Sequence, residues 1–278
     1  MARQVVQPEI MAALGQPVIV DNRPGVGERI AANIVAQALP DGYTLMLVTL
    51  NFALNAGLTK NLPYDPVNDF DAITLIASAP MVLSINPSLP IKSVSELVSF
   101  AKMRPGKINY GSSGPGGTSH VAAELLNSIA KIKLVHVPYR GAGPALIATI
   151  SGEVALYFSP MPPVLPHAKT GKLRMLGVTT SQRSKAVPDL PTMREGGVEG
   201  YEFATWWGLS APAKTARSTR LLLHGVIDKA LAKSTVQTRL LSEGAEPMGT
   251  NPDTFQKFLA AEISKSRAVA KSAGITLE

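Results

Sequence analysis

Short apolar runs alternate with amphipathic stretches along most of the chain, and their two periods separate strands from helices. Residues 3–14 have helical spacing and run into Gly15, a residue suited to a left-handed cap. Pro17-Val18-Ile19-Val20 predicts a short strand, stopped by the turn-forming Asp21-Asn22-Arg23-Pro24-Gly25. An alanine-rich helix over 29–39 closes at Pro40, and a strand over 43–48 follows the Asp41-Gly42 turn. Further strands are predicted at 72–77, 81–85, 108–111, 134–137, 154–158 and 173–178. Between them, Ser93-Val94-Ser95-Glu96 has the spacing of a capping box, in which the serine satisfies the amide three residues on and the glutamate reaches back. A helix over 118–129 follows a glycine-rich stretch, and Gly143-Pro144 opens another with proline at its first position. Residues 217–233, 235–242 and 252–272 read as three closing helices, the last with Phe255, Phe258, Leu259 and Ile263 on one face.

Wholly apolar strands alternating with helices predict an α/β protein whose central sheets are mainly parallel and covered on both faces. At 278 residues and 45% apolar, the chain can bury one large core or two moderate ones. Its 23 glycines and 22 prolines are too few for a low-complexity chain, and no apolar run reaches the length of a membrane span. The absence of cysteine removes disulfides, thiolate metal sites and thiol nucleophiles together. The net charge is +7, but the basic residues are scattered and only 5% of residues are aromatic. That pattern argues against nucleic acid and favours anionic ligands. The opening Met1-Ala2-Arg3-Gln4 is not followed by the long apolar segment of a signal peptide.

The stretch richest in chemistry is Tyr110-Gly111-Ser112-Ser113-Gly114-Pro115-Gly116-Gly117-Thr118-Ser119-His120. A strand ends, a glycine-rich turn follows and a helix begins, so amide donors and a helix dipole favour an anion there. Ser112, Ser113 and Thr118 add hydroxyls, and Gly114, Gly116 and Gly117 let a ligand approach the backbone. The nucleophile-elbow pattern fails, because Pro115 stands where a second glycine is required, and no Walker lysine is present. His120, His136, His167 and His224 are far apart in sequence and fit no metal pattern, so neither a metal nor a cofactor is expected. Two further loops follow strand ends in the same way: Tyr139-Arg140-Gly141, whose arginine suits a carboxylate, and Thr49-Leu50-Asn51, whose polar side chains serve equally as helix caps. Ser159, after the strand ending at Phe158, is a weaker case. Trp206-Trp207 fits a core or a seam between domains better than a stacking platform.

These residues stand within an ordered set of motifs. It runs Leu14-Gly15-Gln16-Pro17-Val18, Asp21-Asn22-Arg23-Pro24-Gly25, Pro40-Asp41-Gly42-Tyr43-Thr44-Leu45 and Leu62-Pro63-Tyr64-Asp65-Pro66 with Asp69-Phe70. It continues through Tyr110 to Gly114 with His120, Val137-Pro138-Tyr139-Arg140-Gly141 and Gly143-Pro144-Ala145. Gly171-Lys172-Leu173-Arg174, Val187-Pro188-Asp189-Leu190-Pro191-Thr192 and Trp207-Gly208-Leu209 with Ala211-Pro212 complete it.

In this order the motifs resemble the extracytoplasmic solute receptors of tripartite tricarboxylate transporters, the Bug family. The resemblance implies a two-lobe Venus-flytrap fold of the type II periplasmic-binding-protein kind. Lobe 1 would comprise residues 1–82 and 200–278, and lobe 2 residues 83–199. It implies a periplasmic monomer that holds a small carboxylate between its lobes and hands it to membrane permease subunits. The ligand loops carried over are Thr49 to Asn51, Ser112 to Thr118 with His120, and Tyr139 to Gly141, with Ser159 added. The chain departs from the family twice. It starts inside the helix that should follow the family's first strand and loop, so the signal, that strand and one side of the pocket are expected to be missing. In Gly25-Val26-Gly27-Glu28-Arg29 a charged residue also replaces the usual glycine pair. A sensing protein of the same fold, and a hydrolase using Ser113 and His120, are the alternatives.

Overall fold

The computed structural model describes residues 1–23, 28–242 and 244–273, so the turn expected over 21–25 lies partly outside them. The chain divides into two compact units, one of Met1–Ser78 with Trp206–Ala268, the other of Ala79–Thr205 with the end of the last helix.

The first unit opens with a π-helical turn, Ala2–Val6, that runs into α1 (Gln7–Leu14), and Gly15 ends this helix at φ 65°. The strand expected over 17–20 does not form. Side chains of the first helical turns take its carbonyls instead: Gln7 Nε2 donates to Val18 O at 2.7 Å and an Arg3 guanidinium nitrogen to Val20 O at 3.2 Å. Ile19 is left 87% exposed, so the β-branched run has no apolar face to bury. Helix α2 (Arg29–Ala36) ends earlier than its composition suggests, and strand β1 (Met46–Thr49) leads directly into α3 (Leu50–Leu58).

A single strand, β2 (Phe70–Ile85), replaces the two expected on either side of Pro80, and its first half belongs to this unit. Strand β7 (Ala204–Pro212) runs antiparallel to β1, with Val48 opposite Gly208, and the two-residue β8 (Glu246–Pro247) pairs with Ala77–Ser78 of β2. Helices α8 (Arg217–Leu231), α9 (Ser234–Ser242) and most of α10 (Pro252–Ala273) complete the unit. Among the described residues no helix is long and apolar enough to cross a membrane.

Two aromatic clusters anchor its core. Phe52, Tyr64 and Phe70 meet with centroids 5.1 to 5.9 Å apart, and Trp206 meets Phe255 and Phe258 edge-on at 6.2 and 5.4 Å. Burying one such ring stabilises the unit by about 2–3 kcal/mol. Trp206 is 1% exposed, and its indole nitrogen donates to Glu262 Oε2 at 3.0 Å, so it is a core residue. The apolar face expected on α10 is real: Phe255, Leu259 and Ile263 are buried, and Phe258 packs on Trp206.

In the second unit the sheet order is β6-β2-β5-β3-β4, built from the second half of β2, β3 (Ile108–Ser112), β4 (Leu134–Pro138), β5 (Leu156–Pro160) and β6 (Arg174–Val178). Strands β3, β4 and β5 are parallel, because α5 (Thr118–Ala130) and α6 (Ala142–Ser151) cross between them. β2 is antiparallel to both β5 and β6. The sheets are therefore mixed rather than mainly parallel. Continuous apolarity reports a strand covered on both faces, and antiparallel strands under helices carry the same signature as parallel ones.

Helices α4 (Val94–Met103) and α7 (Met161–Lys169) flank this sheet. At α4 the capping box is displaced. Ser93 Oγ accepts from Glu96 N–H at 3.1 Å, but the Glu96 carboxylate reaches Lys92 N–H, one residue before the expected partner. Pro144 sits at the third rather than the first position of α6. Helix α7 carries three prolines, two of them in its first turn, and so lacks any helical signature in sequence.

One contrast tests the packing. A Cβ on Gly208 would sit 2.0 Å from Phe255 Cζ, whereas one on Gly225, inside α8, meets nothing within 4 Å. Gly208→Ala is expected to destabilise the protein by about 3 kcal/mol, and Gly225→Ala to stabilise it by about 0.5–1 kcal/mol, both read from urea unfolding midpoints.

Candidate functional site

In the second unit β3, β4 and β5 end at one edge of the sheet, so the loops after Ser112, Pro138 and Pro160 emerge together. The turn between β3 and α5 is held by its own polar groups. Ser113 N–H donates to Ser119 Oγ at 2.8 Å, Gly114 N–H to Ser112 Oγ at 3.1 Å, Gly116 N–H to His120 Nδ1 at 3.0 Å and Gly117 N–H to Gly114 O at 3.2 Å. Gly114 and Gly116 adopt φ of 124° and 72°, conformations that glycine enters without strain. A Cβ on Gly117 would lie 2.8 Å from Ser113 Oγ. These four amides face inward, and Gly116 is buried. The donors this loop offers outward are accordingly fewer than the glycine count suggests. No helical carbonyl reaches the first amides of α5, at Thr118, Ser119 and His120; of these residues only Thr118 is half-buried, and Ser119 and His120 are buried.

Behind the turn three rings stack. His120 and His136 lie 3.9 Å apart at 12°, and Tyr110 stacks on His136 at 5.1 Å. The parallel register places Tyr110 beside His136, which is why histidines distant in sequence meet. Because His120 Nδ1 accepts an amide hydrogen, its proton is on Nε2 and the ring is neutral. His136 Nε2 pairs with Ser112 Oγ at 2.6 Å. The Tyr110 hydroxyl donates to Glu124 Oε1 at 2.5 Å.

The β4–α6 loop adjoins this turn: Tyr139 N–H donates to Ser112 O at 3.0 Å, and Tyr139 O lies 3.6 Å from where a Gly114 Cβ would be. The Tyr139 hydroxyl donates to Glu153 Oε1 at 2.7 Å, Gly141 caps α6 at φ 111°, and Arg140 is exposed. Ser159 is buried in β5 and donates to Pro160 O at 2.9 Å, so its hydroxyl points back to its own chain. The structure thus gathers Ser112 to Thr118, His120 and Tyr139 to Gly141, with Ser159 below them.

Ser113 and His120 are each engaged with other partners. Ser113 Oγ pairs with Ser119 Oγ at 3.1 Å, and His120 Nδ1 is already taken by Gly116. The Ser112 hydroxyl that does meet a histidine is fully buried. Among the described residues no group of three or more His, Asp or Glu side chains is placed to hold a metal ion.

In the first unit Thr49 closes β1 and caps α3, its hydroxyl accepting from Asn51 N–H at 3.1 Å. Thr49 also meets Glu28, which the sequence reading noted only as a departure. The Thr49 hydroxyl donates to Glu28 Oε1, and Thr49 N–H approaches Glu28 Oε2 at 3.4 Å. Burial raises the Glu28 carboxyl above its usual range, against the lowering effect of these two bonds. Asn51 itself uses its backbone, accepting at its carbonyl from Asn55 Nδ2 at 2.9 Å. A hollow of about 600 Å³ in this unit is lined by Thr59, Lys60, Tyr64, Asp65, Asp69 and Arg267, away from Thr49 and Asn51.

Set beside known proteins, residues 1–275 match the family described as the tripartite tricarboxylate transporter family receptor. The chain is 33% identical over 280 residues to protein BugT of Bordetella pertussis, covering 100% of this chain and 86% of that one. Among solved structures it is similar to Rpa4515 of R. palustris with adipate, at a TM-score of 0.85 and 35% identity, covering 98% of this chain and 91% of that one. It is also similar to MatC of Rhodopseudomonas palustris with bound malate, at 0.81 and 33%, covering 96% and 92%.

The histidine stack makes stability depend on pH. Burial holds both rings below their usual range, and for His136 the neighbouring His120 adds to the effect, bringing it to about 4 despite the opposing pull of Glu124. Between pH 6.5 and about 4 the unfolded chain therefore binds protons that the folded chain refuses, and stability falls as pH falls. The melting temperature is expected to decline across that window, and His136→Gln to flatten the decline, as followed by circular dichroism at half-unit pH intervals.

Proposed function

The chain belongs to the tripartite tricarboxylate transporter receptor family, and from that premise we propose that it is a solute-binding receptor for a small organic carboxylate. It binds this ligand in the periplasm as a monomer, releases it unchanged and passes it to membrane permease subunits. The observation that carries the reading is the shared sheet edge of the second unit, where the first amides of α5 and the Arg140 guanidinium stand on adjoining loops. Helix-terminal amides and a guanidinium both favour a carboxylate, and charge-assisted hydrogen bonds discriminate it from neutral analogues. Parallel strands present ligands at this edge, beyond their carboxyl ends. Thr49 and Asn51 of the first unit complete the proposed set.

Support for binding over catalysis comes from the same loop. The polar groups that a hydrolase would need poised are instead engaged in holding the turn.

A carboxylate screened by thermal shift at about 100 times its Kd should raise the melting temperature by several degrees, equivalent to about 2.7 kcal/mol. Arg140→Gln should weaken that acid about tenfold in calorimetry while leaving the ligand-free melting temperature unchanged, because the side chain is exposed. No acid shifting the wild-type chain would count against the receptor reading. Hydrolysis of p-nitrophenyl acetate is expected to be the same in wild type and Ser113→Ala; a rate abolished by that substitution would restore the enzyme alternative.

A further inference from the structure

The two stacked histidines behind the glycine turn respond differently to an added proton. His136 Nε2 pairs with Ser112 Oγ at 2.6 Å, a bond in which either partner can donate. When that ring is protonated, Nε2–H donates and the serine hydrogen turns to Gly114 O, 3.3 Å away. Ser112 Oγ still accepts the Gly114 amide at 3.1 Å, so this end of the turn keeps its bonds. His120 has no such freedom. Its Nδ1 accepts the Gly116 amide at 3.0 Å, and a proton there sets one donor against another. Gly116 is buried, so an amide that loses this acceptor has no water to replace it until the turn opens.

The surroundings of His120 keep the ring neutral. Tyr110 of β3 stacks on it at 6.4 Å and His136 of β4 at 3.9 Å, and Glu124 lies one turn further along α5. Tyr157 of β5 bonds the adjacent Ser119, and Tyr201 donates to Ala122 O. Glu124 favours a charged ring, but its carboxylate also accepts from the Tyr110 hydroxyl and from Asn127 Nδ2. Burial outweighs that pull. We propose that His120 is a positioning residue that acts as an acid-sensitive latch: neutral, it holds the glycine turn onto α5, and protonated, it releases Gly116 while Ser112 keeps hold of Gly114. An opening that takes up one proton becomes about tenfold easier for each pH unit below the ring's ordinary 6.5, until the folded ring itself titrates. The bearing of the latch on ligands rests on the receptor reading, because the turn leads into the first amides of α5; the latch itself does not.

Residue-resolved hydrogen exchange by NMR on the full chain, corrected for intrinsic rates, tests the latch between pH 7 and 5. In wild type, protection of the Gly116 amide is expected to fall about tenfold per pH unit below 6.5, and that of Gly114 by less than about threefold. His120→Asn puts an amide oxygen where Nδ1 stood, an acceptor that does not titrate, so protection at Gly116 should persist and lose its pH dependence. His120→Leu offers no acceptor and should leave Gly116 at least about tenfold less protected at pH 7. Should His120→Leu fail to fold, wild type against His120→Asn carries the test. Wild-type protection at Gly116 that ignores pH, or a pH dependence that survives in His120→Asn, overturns the latch and leaves the receptor reading standing. With a carboxylate that raises the melting temperature, His120→Leu should bind at least about threefold more weakly and His120→Asn like wild type. Equal affinity in all three overturns the positioning role. If no carboxylate binds, the receptor reading falls, and exchange at Gly116 still decides the latch.

Discussion

The glycine turn at the second unit's candidate site is closed by one hydrogen bond, from the Gly116 amide to Nδ1 of a neutral His120. It closes the glycine turn onto the first turn of α5, and it requires that His120 carry no proton on Nδ1. Burial disfavours the charged form of this ring, against the opposing pull of Glu124, and the ring lies stacked 3.9 Å from His136. The glycines thus do a different job from the one their number suggests. They let the chain fold its amides back on its own side chains, fixing the direction in which α5 begins. A rigid helix start offers few donors, but it offers them in one place, and preorganised donors lose little on binding.

The same economy applies in the first unit, with opposite sign. Thr49 stands at a strand-to-helix junction much like that of the second unit, but its donors are already answered by Glu28. The two units therefore present chemically unlike loops, one offering amides and a guanidinium, the other carboxylate oxygens.

Much of this was legible in the sequence, and what was not has identifiable causes. Strands and helices that bury a clear face were found where their periodicity placed them, as with α5 and the Phe255 face of α10. The run at 17–20 looked like a strand because β-branched residues favour extended backbone, yet a strand needs a neighbour, and propensity carries no information about one. Helix α7 was hidden by its prolines, which are tolerated in a first turn. The loops of the site were readable as loops, because glycine and hydroxyl residues after an apolar run have a local signature. Their internal bonding was not, because it depends on His136 and Ser119, whose positions are set by sheet register and helix phase. Glu28 was visible only as an oddity, since its meaning lies in a contact 21 residues away along the chain.

The segment from Gln16 to Val20 repays a last look. Its ties to the remainder of the first unit include the side chains of Gln7 and Arg3, reaching two of its carbonyls. A sheet ladder would distribute its loss over many cooperative bonds, whereas a few isolated tethers yield one at a time. This stretch can accordingly open far below the free energy of global unfolding, exposing its amides to deuterium and its bonds to proteases while the sheet behind it stays shut. Local fragility of that kind confines damage: the chain is nicked or exchanged first at a place that contributes nothing to the buried core.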